Sequence, residues 1–419
     1  MKRCRFAALA AVTMAAVISK PATGQSTGEP SQPKFTVLHS FTGPPDGGFP
    51  FANLILDQAS NVYGTTLEGG SNSGVCVDSG GCGTIFEIDT SGEESILYSF
   101  KGPERDGQFP YGGLLRDSAG NLYGTTWGGG TSGLSACENT GCGTVFALNA
   151  AGEERVLYNF TGGADGANPH AALTLGADGR FYSTTYMGGA YDAGTVFAVT
   201  RQGVESVIHS FDFDGTVKDG DDVWGGLIRD PSGHLYGMTF GGYNLSCEPG
   251  FQIGCGIIYE MTEAGTETIL YPFTGEADGN WPGGALVRDS EGNLYGTSQG
   301  GTSQWGTVFK LDPAGNFTVL HSFTGGAEGG DPWAGVVRDA AGNLYGTTLG
   351  GGGTACAPNG CGTVFALEPS GKFSILHSFT GGADGFAPNS ALVLDQSGNL
   401  YGIATNGGIG DGVVFKIVR

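Results

Sequence analysis

Positive charge is scarce in this sequence. Nineteen lysines and arginines stand against 41 aspartates and glutamates in 419 residues, a formal charge of −22, and Lys2, Arg3, Arg5 and Lys20 all lie at the extreme N-terminus. So acidic a surface excludes nucleic acid and anionic membrane as partners and leaves cations and neutral polymers. Beyond residue 18 there is no apolar run long enough to cross a bilayer as a helix, so no integral membrane span is expected. Helical periodicity of useful length is missing, as are a G-x-S-x-G nucleophile turn and a phosphate-binding loop ahead of a helix. Nine cysteines occur, and no histidine accompanies any local pair of them, which argues against zinc.

A basic start, an apolar run from Phe6 to Ile18 and the small-residue exit Ala22-Thr23-Gly24 read as a secretory signal over residues 1–24, with a flexible segment at 25–34. Removing the signal takes four basic residues with it and leaves a charge of −26. The expected locations are secreted, periplasmic or cell-surface. The 80 glycines separate short blocks of aliphatic and aromatic residues, the mark of a folded chain dense in turns.

Self-similarity decides the architecture. The words GNLYGTT, GTVFAL and LHSFTGGADG recur, with the tyrosine of the first at Tyr63, Tyr123, Tyr182, Tyr236, Tyr295, Tyr345 and Tyr401. Each copy carries four β-like segments, in the second copy GGLLRD (112–117), NLYGTT (121–126), GTVFAL (143–148) and RVLYNF (155–160). Turns such as DSAGN (117–121) place Asp where it caps its own bend. The chain begins the repeat region on an isolated fourth segment, FTVLHSF (35–41), and ends on a third, GVVFKI (412–417). The first strand therefore completes the last blade. The expected fold is an all-β, seven-bladed β-propeller over residues 35–419, its ring closed by the N-terminal strand.

These repeated words resemble the GloVer tandem repeats of exported bacterial proteins, the choice-of-anchor group, over about residues 35–419. The resemblance implies export and a repeat domain without an assigned activity. This chain departs from the group name by ending on a strand, with no C-terminal anchor sequence.

In such a blade the loops from strand 2 to 3 and from strand 4 to the next strand 1 share a face, where a site is to be sought. The 2–3 loops of copies 1, 2, 4 and 6 carry the pairs Cys76/Cys82, Cys137/Cys142, Cys247/Cys255 and Cys356/Cys361, expected as four disulfide staples. The other loops repeat D-G-x-x-P, whose carboxylates either ring the channel mouth or cap turns. After the Pro come Phe51, Tyr111, His170, Trp224, Gly283, Trp333 and Asn389. Phe51, Tyr111, His170, Trp224 and Trp333, with the neighbouring Trp281, are the candidate ligand-binding residues, since aromatic faces at a wet rim suit a saccharide or another ring-bearing ligand. The alternative is burial between blades.

Asp212, Asp214, Asp219, Asp221 and Asp222 crowd the fourth copy, a candidate Ca²⁺ site or a solvated acidic run. Arg116, Arg229, Arg288 and Arg338 near the far end of the channel either hold an anion or pair with carboxylates. His39, His209, His321 and His377 share one strand register, a structural signal, which leaves His170 as the histidine of the long-loop face. The function expected is an exported binding module for carbohydrate or another extracellular ligand, acting as a monomer on a polysaccharide or cell-surface protein. The alternatives are a polysaccharide lyase or glycoside hydrolase, using His170, Tyr111, Asp106 and Asp165 as catalytic groups, and a protein-interaction scaffold.

Overall fold

β-Branched and aromatic residues between glycine turns favour short strands. In the computed structural model they form seven antiparallel sheets, each with a four-strand meander; blade 1 is Ile55–Leu56, Val62–Glu68, Thr84–Ile88 and Glu94–Ser99. The structure describes residues 33–70, 76, 80–103, 105–130, 137, 140–212, 219–243, 247, 254–356 and 358–419. Among them there is no α-helix. The strand Lys34–Ser40 pairs antiparallel with Val413–Val418, Lys34 opposite Val418 and Ser40 opposite Val413, so the first strand closes the ring as the fourth strand of blade 7. The signal segment 1–24 and the linker up to residue 32 lie outside the described residues.

Each letter of the repeated Y-G-T-T has its own task. The tyrosine hydroxyl donates to the Asp that caps the preceding turn, as Tyr123 does to Asp117 and Tyr345 to Asp339, in all seven copies. The Gly makes room for the third-strand Phe: a Cβ on Gly346 would lie 2.6 Å from Phe365 Cζ. The first Thr donates to a carbonyl of the next blade, Thr125 to Ala171 and Thr347 to Ser390. The second Thr bonds the Thr that opens the third strand, Thr126 with Thr144 and Thr348 with Thr363, buried at 2.8 Å.

The core is distributed over seven hydrophobic clusters, one at each blade interface. At every interface the Phe of the H-S-F type segment meets the third-strand aromatic of the next blade edge-to-face, with centroids 5.0 to 5.5 Å apart in Phe160–Phe197, Phe211–Tyr259 and their equivalents. Edge-to-face contact is the favoured geometry for such rings and adds about 0.5–1.5 kcal/mol per pair beyond the area buried. Closer to the axis, the Pro of D-G-x-x-P packs on the Gly that precedes the third strand of the previous blade. A Cβ on Gly143 would strike Pro169 Cδ at 2.5 Å, and its φ of +97° also requires Gly.

In six blades the innermost strand is shorter than expected, while in blade 5 it runs from Asn280 to Arg288. Where GGLLRD promises six residues, only Leu115–Arg116 pair with the second strand. The reason is that backbone carbonyls ahead of that pair are taken by the threonine of the preceding blade, as Pro110 O is by Thr65. The inner segment thus belongs as much to its neighbour as to its own sheet.

Candidate functional site

The residue before the conserved Pro, or before Val223 in blade 4, takes a left-handed conformation in every blade: Phe49, Phe109, Asn168, Asp222, Trp281, Asp331 and Ala387, with φ from 48° to 56°. Such backbone is costly for a side-chain-bearing residue and persists only where the surroundings hold it. In six blades they do so by a hydrogen bond from that residue's N–H to the preceding blade, Phe109 to Cys82 O and Trp281 to Cys255 O for example. The turn delivers the residue two positions on to the propeller axis. All seven such residues, Phe51, Tyr111, His170, Trp224, Gly283, Trp333 and Asn389, line one cavity of about 410 Å³. Below them sits a tier of small residues, among them Gly113, Ala172, Gly226, Ala285 and Gly335.

Five of the six candidate ligand-binding residues therefore converge. Trp281 does not line the cavity; its ring stacks on Phe240, 5.6 Å away and 13° from parallel, and Phe240 in turn stacks on Trp333 at 5.9 Å. Phe240 lines the cavity, and Trp127 and Tyr186 extend the same sheet of rings: Trp127 meets Tyr111 at 5.6 Å and Tyr186 at 5.5 Å, and Tyr186 meets Trp224 at 5.1 Å. Trp127, Tyr186 and Phe240 share one signal in the sequence, the place directly after the second strand's T-T or M-T. His170 is held in this sheet, stacked 4.9 Å from Tyr111 and edge-on 4.5 Å from Trp224. Burial pushes its imidazole down to about 4, offset only partly by the Trp224 main chain, so it is neutral at physiological pH. Its Nε2 is buried with no hydrogen-bond partner among the described residues.

Asp106 and Asp165 lie elsewhere. Asp165 accepts from Thr161 N and Oγ1 and from the Tyr158 hydroxyl, and Asp106 accepts from Lys101 N and the Tyr98 hydroxyl. The D-G-x-x-P carboxylates cap their own loops and tie them to the His or Tyr of the fourth strand; His209 and Asp219 make the same pair at 3.1 Å, His377 and Asp384 at 3.0 Å. At four interfaces a glutamate from the next blade joins them: Glu94, Glu154, Glu205 and Glu267. Burial, then the neighbouring Asp, raises Glu94, Glu154 and Glu205 to about 7.

Of the five clustered aspartates, Asp214 lies outside the described residues. Asp219 faces His209 and Glu267, the three offering ligand atoms within 4.8 Å of one another, and His39, Asp46 and Glu94 form a like group; either set has the donors to hold a divalent cation. Asp222 instead hydrogen-bonds Tyr186, and burial followed by the Asp222 charge raises Asp221 to about 7. The four arginines do not form a ring of anion ligands. Arg116, Arg288 and Arg338 lie over the tyrosine rings of the preceding blade, 5.3 to 5.7 Å from the centroids, and Arg229 pairs with Glu263 at 3.2 Å.

Both faces are acidic: the turns of the far face hold fourteen acidic residues against Arg180, Arg201 and Lys372. The 2–3 and 4–1 loops contain nineteen acidic residues and three basic ones, Lys101, Arg105 and Lys218. Four disulfides brace the longer loops, joining Cys76 to Cys82, Cys137 to Cys142, Cys247 to Cys255 and Cys356 to Cys361. No helix among the described residues is long and apolar enough to cross a membrane.

Comparison with known proteins bears on the fold and the repeat. The family model for the Gloeobacter/Verrucomicrobia repeat matches residues 27–136, 74–248 and 243–419. No curated protein matches the sequence. Among solved structures, the chain is similar to the GH74 enzyme of Niastella koreensis (16% identity, TM-score 0.53, covering 91% of this chain and 53% of that one). It is also similar to a puromycin hydrolase variant (15%, TM-score 0.53, 86% and 51%) and to the PQQ-bound aldose sugar dehydrogenase of Streptomyces coelicolor (12%, TM-score 0.45, 93% and 100%). The chain spans about half the length of the first two. At such identities the likeness is one of fold alone.

Proposed function

The chain belongs to the Gloeobacter/Verrucomicrobia repeat family, and from that premise we propose that it is an exported binding module whose ligand enters the axial cavity on the long-loop face. The observation that carries this reading is the convergence of all seven post-turn residues on one cavity walled by Phe51, Tyr111, Trp224, Phe240 and Trp333. A concave site with aromatic walls and few polar groups is the usual form of a small-molecule site. Its residues are also where the repeats differ most, whereas positions that build the ring are repeated.

Carbohydrate is one ligand class, because a sugar ring can lie on Trp224 or Trp333 with its hydroxyls toward Asn53 and Asn389. Export rests on the signal at residues 1–24, and N-terminal sequencing of the mature protein tests it by a start near residue 25. A calcium ion on the Asp212–Asp222 loop belongs to the same proposal, tested by a Ca²⁺-dependent rise in melting temperature. The lyase or hydrolase reading has less support, since Asp106 and Asp165 are engaged as loop caps.

The test is a thermal-shift and tryptophan-fluorescence screen of glycans and small ring-bearing or charged compounds. A true ligand at 100 times its Kd stabilises the fold by about 2.7 kcal/mol. Binding should vanish in Trp224→Ala/Trp333→Ala; hits that persist there would remove the cavity from the account.

A further inference from the structure

We propose that the ligand of the axial cavity is a small organic cation, an alkylated ammonium group seated against Trp224 and Trp333, with Phe240 stacked behind them. This rests on the cavity-binding reading and narrows it.

Three observations lead to that class. The first is the wall itself. Phe240 and Trp333 stack 5.9 Å apart, Trp224 closes the corner 6.4 Å from Trp333 and 6.5 Å from Phe240, and Gly283 stands between the two tryptophans in the ring of post-turn residues, where other blades place a ring. Aromatic faces carry negative quadrupoles and attract a cation more strongly once water is excluded.

The second is how little the cavity offers in hydrogen bonds. Its polar side chains are Asn53, Asn389, His170 and the Tyr111 hydroxyl. Asn53 Oδ1 already accepts from Ala391 N at 2.8 Å, and Asn389 Oδ1 accepts from Thr405 Oγ1 at 2.6 Å. His170 Nε2 is buried within the ring stack. A polyhydroxylated ring wholly inside would leave hydroxyls unpaired, each at a cost of about 1–3 kcal/mol. A quaternary ammonium asks for no hydrogen bond.

The third is the field. No lysine or arginine is among the described residues that line the cavity, and the loops of its face hold nineteen acids against three bases. Two carboxylates act on the aromatic sheet. Burial and then the Glu68 charge push the Tyr111 phenol up, and Asp222 accepts from the Tyr186 hydroxyl. A concave, low-dielectric site under a field of one sign concentrates the opposite charge.

The test uses a matched pair of probes on the wild-type protein: choline and its uncharged isostere 3,3-dimethylbutan-1-ol, titrated by calorimetry and tryptophan fluorescence at low and at 0.5 M salt, with glucose and cellobiose as neutral sugars. The inference expects choline to bind at least tenfold more tightly than the isostere, the preference to shrink in salt, and Trp333→Leu and Glu68→Gln each to weaken choline severalfold. Equal or tighter binding of the isostere, or sugar binding without choline binding, overturns the cation while leaving the cavity as the site. If neither these probes nor any compound of the wider screen binds, the cavity reading itself fails, and the inference with it.

Discussion

Gly346 shows how a single position ties the repeat to the ring. Its missing side chain is the space filled by the Phe365 ring, which is fully buried and packs edge-to-face on Phe323 at 5.2 Å. Blade 3 has Ser183 at this register, its hydroxyl bonded to the Ala171 and Ala172 carbonyls, so the fold can yield there. Gly346→Ala is expected to lower stability by about 1–2 kcal/mol in urea denaturation, the usual cost of overpacking a core. Titration is also argued residue by residue. Glu154 has a folded pKa of about 7 against 4.5 in the unfolded chain, raised by burial and then by Asp106. Between those values the native protein keeps a proton that the unfolded chain has released, so stability falls as pH rises from about 4.5 through 7. Glu94 and Glu205 act in the same sense and window. Asp117 acts at the other end: burial would raise it, but hydrogen bonds from Asn121, Arg201 and Tyr123 outweigh burial and bring it down to about 2, so its contribution is lost only as pH falls below 3.8. Melting temperature should thus peak near pH 4 to 5, and Glu154→Gln should flatten its decline toward pH 7.5. An unchanged slope in that variant would mean that Glu154 is ionised in the fold throughout.

At the scale of elements, the stapled loops and the inner strands divide their work. The carbonyls of Cys82, Cys142, Cys255 and Cys361 receive the N–H of the left-handed residue of the next blade. Where no cysteine stands, Trp305 and Asp411 accept the same bond from Asp331 and Phe49. The latch between blades therefore does not depend on the disulfide, which constrains the loop beyond it. Closing a loop of five to eight residues is worth about 2 kcal/mol in the chain-entropy model. Cys137→Ser/Cys142→Ser should lose about that much in denaturant while keeping its far-ultraviolet spectrum and its wild-type hydrodynamic size; a collapse of the fold would show the staple to be part of the latch. Much of this level was legible in the sequence, because Y-G-T-T and the cysteine pairs repeat at fixed register. The short inner ladders were not, since their carbonyls are claimed by threonines of another blade some 45 residues away, as with Thr65 and Pro110. Nor were three of the four arginines: R-D in a strand suggests ion pairs, such as Arg229 makes with Glu263, but the tyrosines that Arg116, Arg288 and Arg338 cover come from the preceding repeat. The post-Pro row was legible as a rim. Trp127, Tyr186 and Phe240 were not recognised as part of it because they sit where a strand passes into an irregular loop, and pattern gives no direction there.

At the largest scale, residues 33–419 form a closed ring that is acidic on both faces. Lys34–Ser40 seals blade 7 and leaves no open edge between first and last repeat. Around that ring the repeated positions make interfaces, while variation is concentrated on one acidic face and in the cavity at its centre. The proposal of widest reach is that this cavity is where the protein binds. The most direct measurement is a crystal structure of the full chain soaked with the tightest compound from the binding screen. Density for the compound is expected beside Trp224, Phe240 and Trp333, with the rings of the wall little moved. A compound seated on the stapled loops or on the outer edge of a blade, with only solvent between those three rings, would contradict it.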